Sequence, residues 1–204
     1  YGSPTNIPIK EDHRLFPQSP YAASKTAADQ IAIAFYNSYN LPITIIRPFN
    51  TFGPRQSLRA VMPTIISQTL DKSIKFIKLG NVNTTRDFCF IDDTIDGFLK
   101  KINNNKIIGE TINLGTGKEF KIKNIAELIG KITKMKKKII TDPKRIRDKN
   151  REVIRLCSSN KKAQKLLNWK PKYLGLNEFK YALKLTVDWY KENNLKNKNK
   201  LYNI

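Results

Sequence analysis

The chain has 204 residues and a mass of 23.5 kDa; 40% of its residues are hydrophobic and 27% are charged. This length and balance suit a folded domain with its own core, and they exclude a disordered or collagen-like chain. No apolar run reaches the roughly 20 residues of a membrane-spanning helix, and two distant cysteines, Cys89 and Cys157, exclude a zinc ribbon or a disulfide scaffold.

The net charge of +21 is concentrated in the C-terminal half. Residues 1–110 carry 13 basic and 9 acidic side chains, a net of +4, whereas residues 111–204 carry 25 and 8, a net of +17. Such an excess can attract nucleic acid, anionic lipid or phosphorylated metabolites. The lysines are dispersed along helices, however, so a compositional bias toward Lys, Asn and Ile is the favoured explanation. A basic nucleic-acid-binding module is kept as the alternative of a different class.

The first predicted elements are an ordered loop, a long helix and a short strand. Residues 1–20 are rich in Pro, Ser, Asn and Asp without a regular period, which is typical of a loop. The alanine-rich run Tyr21–Tyr39 predicts a helix that begins after Pro20 and ends at Asn40. The β-branched run Ile43–Ile46 has apolar residues on both faces, which predicts a buried parallel strand.

After a predicted loop at 50–56, helices and short apolar strands alternate, which predicts an α/β fold. The predicted helices are 63–70, 94–102, 122–134, 163–167 and 176–190, and the predicted strands are 74–79, 86–91, 110–114 and 138–141. Asp92 or Asp93 is expected to cap helix 94–102, since a carboxylate accepts an orphan amide there. Capping is favoured over a metal pair, because no third ligand is near in the sequence. Cys89 and Trp169 are interpreted as core residues.

The sharpest chemical motif is Tyr21-Ala-Ala-Ser-Lys25, because its two end residues lie on one helix face at i,i+4. A phenol ordinarily has a pKa of about 10 and is a poor base at neutral pH, and an adjacent ammonium favours the phenolate. Such a pair can take the proton of a substrate hydroxyl while hydride leaves the same carbon. The spacing alone also occurs by chance on many helices, so its surroundings must support it.

Three further motifs supply that support. Residues 47–55 read Arg-Pro-Phe-Asn-Thr-Phe-Gly-Pro-Arg, residues 85–93 read Thr-Arg-Asp-Phe-Cys-Phe-Ile-Asp-Asp, and residues 112–115 read Ile-Asn-Leu-Gly. In this order, residues 1–190 resemble the extended short-chain dehydrogenase/reductase family, specifically its nucleotide-sugar epimerases and 4,6-dehydratases. The run 47–56, together with Arg-Ala-Val-Met-Pro-Thr-Ile-Ile at 59–66, is most similar to dehydratases that act on UDP-N-acetylglucosamine-type sugars.

The resemblance implies the cofactor side of a site. Tyr21 matches the catalytic base, and Lys25 matches the lysine that binds the nicotinamide ribose of NAD and tunes the tyrosine. Phe49 falls where the backbone touches the nicotinamide. The family's glycine-rich turn, which cradles the pyrophosphate of NAD, has no counterpart in these 204 residues.

On the substrate side, the resemblance implies four contacts with a nucleotide-sugar. Asn50 matches an asparagine on the sugar diphosphate, and Arg86 matches an arginine whose guanidinium can grip phosphate oxygens bidentately. Asn113 and Arg147 match contacts on the nucleotide side. Asp148 follows Arg147 where the family usually has proline, so the sequence departs from the family pattern at that point.

The implied architecture is the C-terminal part of a Rossmann-like, doubly wound parallel sheet with a smaller α/β substrate domain. Residues 1–54 would complete the NAD-binding domain, residues 55–192 would form mainly the nucleotide-sugar domain, and residues 193–204 would be a frayed tail. Because the chain begins at Tyr1 without a methionine, we interpret it as a fragment of a cytoplasmic enzyme, without turnover on its own. The family implies a homodimer through the Tyr21 helix.

The implied reaction begins with oxidation at C4 of the sugar by Tyr21, Lys25 and NAD, which gives a 4-keto sugar. In a 4,6-dehydratase, water then leaves across C5–C6 and hydride returns to C6. In a 4-epimerase, the ketone turns over and hydride returns to C4. We favour NAD-dependent 4,6-dehydration of a UDP-N-acetylglucosamine-like substrate, with 4-epimerisation as the alternative.

Overall fold

The computed structural model describes residues 1–100, 102, 104–148 and 152–193. The chain divides into two compact units, and it passes between them several times. The first unit comprises Tyr1–Thr51, Thr85–Glu119 and Asp148–Lys172, and the second comprises Phe52–Thr84, Phe120–Arg147 and the segment from Tyr173 onward. This interleaved division differs from the predicted single boundary at residue 54. The predicted tail, beyond Asn193, lies outside the described residues.

Helices and short strands alternate along the described chain. The helices are α1 (Pro20–Tyr39), α2 (Val61–Leu70), α3 (Ile91–Leu99), α4 (Ile122–Thr133), α5 (Lys161–Leu167) and α6 (Leu176–Glu192). The strands are β1 (Ile45–Pro48), β2 (Asn50–Phe52), β3 (Phe76–Leu79), β4 (Thr85–Arg86), β5 (Phe88–Phe90), β6 (Thr111–Leu114), β7 (Phe120–Lys121), β8 (Lys138–Thr141) and β9 (Arg155–Leu156). Strand pairs β1–β6, β3–β8 and β4–β9 are parallel, which confirms the predicted α/β class.

Helix α1 forms for local reasons, and it confirms the predicted helix. The Ser19 hydroxyl accepts a hydrogen bond from the Ala22 amide at 3.2 Å, and Pro20 occupies the first turn, where its missing N–H costs nothing. Asn40 ends the helix in the left-handed conformation, with φ of 51°. None of the residues of α1 is buried.

Strand β1 begins two residues later than predicted and is only half-buried, so the prediction of a buried strand is wrong. Ile45 pairs with Thr111 of β6, and the register continues to Pro48 and Leu114. Among the described residues, β6 is the only strand paired with β1. One edge of β1 therefore lacks a neighbouring strand in the described chain, which explains the partial exposure of its side chains.

The core of the first unit lies beside β6 and α5. Its buried members are Cys89, Ile107, Ile112, Leu114, Ala163, Leu167 and Trp169. The Trp169 indole donates a hydrogen bond to the Asp93 carbonyl at 2.9 Å, so its one polar group is satisfied in the core. Burial raises the pKa of the Cys89 thiol to about 12, as expected for an inert core cysteine. The predicted core positions of Cys89 and Trp169 are confirmed.

Two predictions around residues 50–56 and 86–102 are wrong. The predicted loop 50–56 begins with β2, which pairs with β5. The predicted strand 86–91 is two short strands separated at Asp87, and Ile91 already starts α3. Asp92 and Asp93 therefore lie in the first turn of α3 rather than at its cap, where their charge still favours the helix dipole. Asp93 instead accepts a hydrogen bond from the Lys172 amide at 2.8 Å.

The second unit packs helices α2, α4 and α6 with the parallel pair β3–β8. Helix α4 buries Ile122, Ile125, Ala126 and Ile129, which recur at the spacing of one helix face. On α6, the predicted apolar face is confirmed, since Phe179, Leu183 and Val187 are buried. The ring of Phe179 stacks on Phe120 at a centroid distance of 4.2 Å. The remaining predicted elements of both units agree with the structure within two residues.

Candidate active site

Tyr21 and Lys25 lie on the exposed surface of α1, one helical turn apart. The Tyr21 side chain is 72% exposed, and the Lys25 ammonium lies 5.6 Å from the centroid of its ring. This distance suits a cation–π contact. The structure therefore brings the two predicted catalytic residues together, with both functional groups open to solvent. A phenol and an ammonium so placed can exchange a proton with a bound hydroxyl group.

Asp29 continues the same side of α1, four residues after Lys25 and eight after Tyr21. Its carboxylate pairs with the Arg47 guanidinium of β1 at 2.7 Å, and the two side chains are only 20% and 15% exposed. Arg47 also donates to the Tyr1 hydroxyl at 2.8 Å and to the Glu11 carbonyl at 3.2 Å. This largely buried ion pair ties the helix that carries Tyr21 to strand β1 and to the N-terminal loop.

Phe49 and Asn50 follow β1 directly. The Phe49 side chain is 8% exposed, and its backbone amide donates to the Leu114 carbonyl at 2.8 Å. The Phe49 amide therefore already has a hydrogen-bond partner within the fold. The Phe49 carbonyl accepts a hydrogen bond from the Thr51 hydroxyl at 3.3 Å. The side-chain amide of Asn50 donates to the Asp87 carbonyl at 3.3 Å, which places Asn50 beside the segment that contains Arg86.

Arg86 lies at the end of β4, where it pairs with Leu156 of β9. Its guanidinium is half-buried and donates to the Thr85 carbonyl at 2.7 Å. The neighbouring Thr85 hydroxyl donates to Glu119, whose pKa is lowered chiefly by its hydrogen bond with Arg155. Arg86 is thus held at a strand end through the Thr85 carbonyl, and Thr85 itself is tied to Glu119.

Asp87 is the residue that sequence reasoning missed. Its fully buried carboxylate accepts five hydrogen bonds, from the amides and hydroxyls of Thr116 and Ser158 and from the amide of Gly117, at 2.6–3.0 Å. The carboxylate therefore joins the loops after β6 and β9 to the break between β4 and β5. Its position between Arg86 and Phe88, as a lone acid flanked by a strand on each side, is the signal that could have identified it.

Asn113 and Arg147 differ from the other predicted site residues in their placement. Asn113 is fully buried; its side chain accepts from the Tyr1 hydroxyl at 2.6 Å and donates to the Ile9 carbonyl at 3.1 Å. An amide so enclosed does not favour direct contact with a ligand, and its role on the nucleotide stays a prediction. Arg147 is exposed and belongs to the second unit.

The described residues fit one end of NAD. The accessible Tyr21 hydroxyl and Lys25 ammonium suit the hydroxyl groups of a nicotinamide ribose. The two glycines closest together after a strand are Gly115 and Gly117, which follow β6. A Cβ on Gly115 would lie 2.2 Å from the Ser158 hydroxyl, so this turn is filled by protein and does not form a pyrophosphate cradle. Among the described residues, Tyr21 and Lys25 thus carry functional groups that could contact a ribose, whereas the turn at Gly115 and Gly117 does not suit a pyrophosphate.

Comparison with known proteins identifies the family. Residues 1–178 match the family described as GDP-mannose 4,6 dehydratase. The chain belongs to this family. Among its relatives, the putative UDP-glucose 4-epimerase of Methanocaldococcus jannaschii is 33% identical over 199 residues, which cover 95% of this chain and 60% of the relative. The human dTDP-D-glucose 4,6-dehydratase is 31% identical over 196 residues, which cover 95% of this chain and 54% of the relative.

Solved structures of the same kind share the fold. The dTDP-glucose 4,6-dehydratase of Bacillus anthracis in complex with NAD has a TM-score of 0.80 and 28% identity, over 95% of this chain and 59% of that one. The UDP-glucuronic acid 4-epimerase of Bacillus cereus, in complex with UDP-glucuronic acid and NAD, has a TM-score of 0.82 and 27% identity over the same shares. These Rossmann-fold neighbours confirm the predicted fold class and the extended short-chain dehydrogenase/reductase family.

The family contains both dehydratases and epimerases, so membership alone leaves the reaction open. The chain spans between half and three-fifths of the length of these relatives. Within the described ranges of the chain, no three or more potential metal ligands come together as a group. The helices described above include none that is both long and apolar enough to cross a membrane.

Proposed function

We propose that this chain is part of an NAD-dependent enzyme that modifies a nucleotide-sugar, with a UDP-N-acetylglucosamine-like 4,6-dehydration as its reaction. The observation that carries the proposal is the exposed Tyr21–Lys25 pair on α1, in a chain of this family. The match over residues 1–178 favours an enzyme over a basic nucleic-acid-binding module.

Tyr21 would act as the general base on the C4 hydroxyl of the sugar. A positioned base accepts the proton as the hydroxyl becomes a carbonyl, and the exposed Tyr21 side chain can reach a ligand without rearrangement of the core. Lys25 would hold the ribose of NAD and favour the ionised phenol through its charge. Bound NAD would supply the oxidant for C4.

Asn50 and Arg86 would hold the diphosphate of the substrate. Arg86 brings a guanidinium, which can bind two phosphate oxygens at once, and Asn50 is fastened beside it through the Asp87 carbonyl. Phe49 would border the nicotinamide through its backbone. Arg147 would add a contact on the nucleotide side.

The choice between dehydration and epimerisation depends on the step after C4 oxidation. A 4-keto sugar has an acidified hydrogen at C5, so water can leave across C5–C6 and C6 is then reduced. Reduction of the same ketone at C4 from the other face gives the epimer instead. Relatives of both kinds match this chain, and the preference for dehydration comes from the similarity of residues 47–56 and 59–66 to dehydratases of UDP-N-acetylglucosamine-type sugars.

The test is a product analysis. The complete gene product is incubated with NAD and UDP-N-acetylglucosamine, and the product is analysed by mass spectrometry and NMR. A product that has lost one water supports the proposal. An isobaric product inverted at C4 supports 4-epimerisation. If UDP-N-acetylglucosamine, UDP-glucose and dTDP-glucose all remain unchanged, both reactions are contradicted.

We also propose a homodimer through α1. Its exposed face carries Ile31 and Phe35, which are 59% and 46% exposed and lie one turn apart. A second copy would remove these apolar side chains from water. Ile31→Glu is expected to give a monomer in light scattering. The matched substitution Ile95→Glu, on an exposed isoleucine of α3, is expected to leave the dimer intact, and a dimeric Ile31→Glu protein would contradict the proposal.

A further inference from the structure

The Lys25 ammonium has two potential partners on α1, the Tyr21 ring and the Asp29 carboxylate, and the structure places it over the ring. Asp29 follows Lys25 at i,i+4, the spacing at which opposite charges pair on a helix surface. Yet the described contacts place the Lys25 ammonium over the Tyr21 ring, at 5.6 Å from its centroid. The Asp29 carboxylate points elsewhere, to Arg47 at 2.7 Å.

Arg47 is well placed to hold Asp29. The two side chains are 15% and 20% exposed, so water competes weakly for either charge. The guanidinium is fixed independently, because it donates to the Tyr1 hydroxyl and the Glu11 carbonyl and lies 4.9 Å from the centroid of the Tyr1 ring. The rival pairing is weaker, since Lys25 is exposed and a lysine that precedes its acid at i,i+4 has the less favourable orientation.

We propose that Arg47 is a positioning residue, which keeps Asp29 away from Lys25 and so leaves the Lys25 ammonium to Tyr21. Without the guanidinium, the largely buried Asp29 carboxylate would lose its partner, and the nearest mobile cation along α1 is Lys25. Asp29 would then draw the ammonium away from the phenol. The inference rests on the proposed function of Tyr21 and Lys25.

The structural test uses the 204-residue chain itself and needs no activity. A crystal structure of the Arg47→Gln variant is expected to show the Lys25 nitrogen within about 4 Å of an Asp29 oxygen, the distance of an ion pair. A structure in which Lys25 stays over the Tyr21 ring would overturn the proposal. Because this test involves no substrate, its result stands whether or not the proposed reaction is correct.

The kinetic test compares three variants of the complete gene product. Arg47→Gln is expected to lower kcat about tenfold with little change in the KM of the nucleotide-sugar, since the substrate contacts are untouched. Asp29→Asn is expected to keep nearly the normal rate, because it removes the competing carboxylate. The double variant Arg47→Gln/Asp29→Asn is expected to recover most of the rate lost in Arg47→Gln.

Recovery in the double variant separates positioning from a merely structural role. If Arg47 only stabilised the fold, the double variant would be as slow as Arg47→Gln or slower, and that result would overturn the proposal. If Arg47→Gln fails to fold, the double variant Arg47→Gln/Asp29→Asn is compared with Asp29→Asn, because the proposal requires that Arg47 has no effect on the rate once Asp29 is neutral. Equal rates support the proposal, and a double variant about tenfold slower than Asp29→Asn contradicts it. Lys162→Gln serves as the matched control, because it removes a separate ion pair, with Glu110 at 2.6 Å.

A wild-type protein that turns over none of the tested nucleotide-sugars would count against the proposed function. The arrangement of Lys25, Asp29 and Arg47 would still be decided by the crystal structure of Arg47→Gln. The two proposals therefore fail by different observations.

Discussion

Asp87 holds the first unit together with a single carboxylate. Its two oxygens accept five hydrogen bonds from three residues, while its own amide donates to the Leu156 carbonyl at 2.8 Å. A buried carboxylate is tolerated in a protein core only with such full satisfaction. Because the Asp87 carbonyl also accepts from Asn50, the same residue that joins three loops sets the position of a proposed substrate contact.

Removal of this carboxylate is expected to destabilise the chain strongly. Asp87→Ala removes the shared acceptor of five hydrogen bonds, four of which come from the buried residues Thr116 and Ser158. We expect the free energy of unfolding to fall by about 3 kcal/mol or more. Urea denaturation followed by circular dichroism measures this change. Asp92→Ala is the matched control, because Asp92 is exposed on α3. A loss for Asp87→Ala that equals the loss for Asp92→Ala would contradict the role of Asp87.

Glu119 is expected to make the stability of the folded chain depend on pH, and its hydrogen bond from Arg155 sets the sign of that dependence. Its pKa lies below the ordinary value of 4.5, mainly because Arg155 donates to its carboxylate. A carboxylate with a lowered pKa in the folded state adds stability above its ordinary pKa, and that stability is lost as the pH falls through the folded value. Wild type is therefore expected to exceed Glu119→Gln in thermal midpoint at pH 7, and the difference should shrink below pH 4.5. A difference that grows toward acid pH would contradict this assignment.

At the scale of elements, helix α3 is held close to the core by a glycine. A Cβ on Gly97 would lie 2.5 Å from one methyl carbon of Leu114 and 3.2 Å from the Trp169 indole nitrogen. Both neighbours are fully buried and cannot swing away into solvent. The glycine therefore permits a close contact between α3 and β6 that no other residue would allow.

Gly97→Ala tests this contact, because two effects oppose each other. Alanine favours a helix over glycine by about 1 kcal/mol, whereas an extra methyl in a packed core costs about 1–3 kcal/mol. We expect a net loss of stability in urea denaturation. Gly130→Ala in α4, where the nearest atom is a backbone oxygen at 3.1 Å, is expected to lose less. A stabilised Gly97→Ala protein would show that α3 does not pack in this way.

Elements with local signals were predictable from the sequence. The serine cap, the proline, the alanines and Asn40 specify α1 within the helix itself, and the apolar spacing specifies α4 and α6. Strand β2 and the split between β4 and β5 were missed, because strands of two or three residues are fixed by their partners rather than by their own sequence. The start of α3 was misplaced for a related reason, since Phe90 has no side chain that caps a helix.

The candidate site was predictable only in part. The i,i+4 spacing placed Tyr21 and Lys25 together, as the structure shows. The pair formed by Asp29 and Arg47 joins residues 18 positions apart, and nothing in the local sequence indicates it. Neither could the pattern show that Asn113 is enclosed by Tyr1 and Ile9, because burial of a polar side chain depends on which distant segments cover it.

At the scale of the whole molecule, the residues that the structure describes suit only part of the proposed NAD site. Tyr21 and Lys25 suit the nicotinamide ribose, whereas the glycine turn after β6 is filled by the Ser158 side chain. The 204-residue chain is therefore expected to show no conversion of UDP-N-acetylglucosamine with NAD, as measured by mass spectrometry. Formation of a product by this chain alone would contradict the expectation that these 204 residues lack part of the NAD site.

The most direct measurement of the proposed chemistry is the rate of the Tyr21→Phe variant of the complete gene product. Tyr39→Phe is the matched control, because Tyr39 lies on the same helix and is 69% exposed, close to the 72% of Tyr21. Removal of a positioned general base is expected to lower kcat by a factor of about 10² or more, with NAD still bound and Tyr39→Phe near the normal rate. An undiminished rate for Tyr21→Phe would show that another group removes the proton.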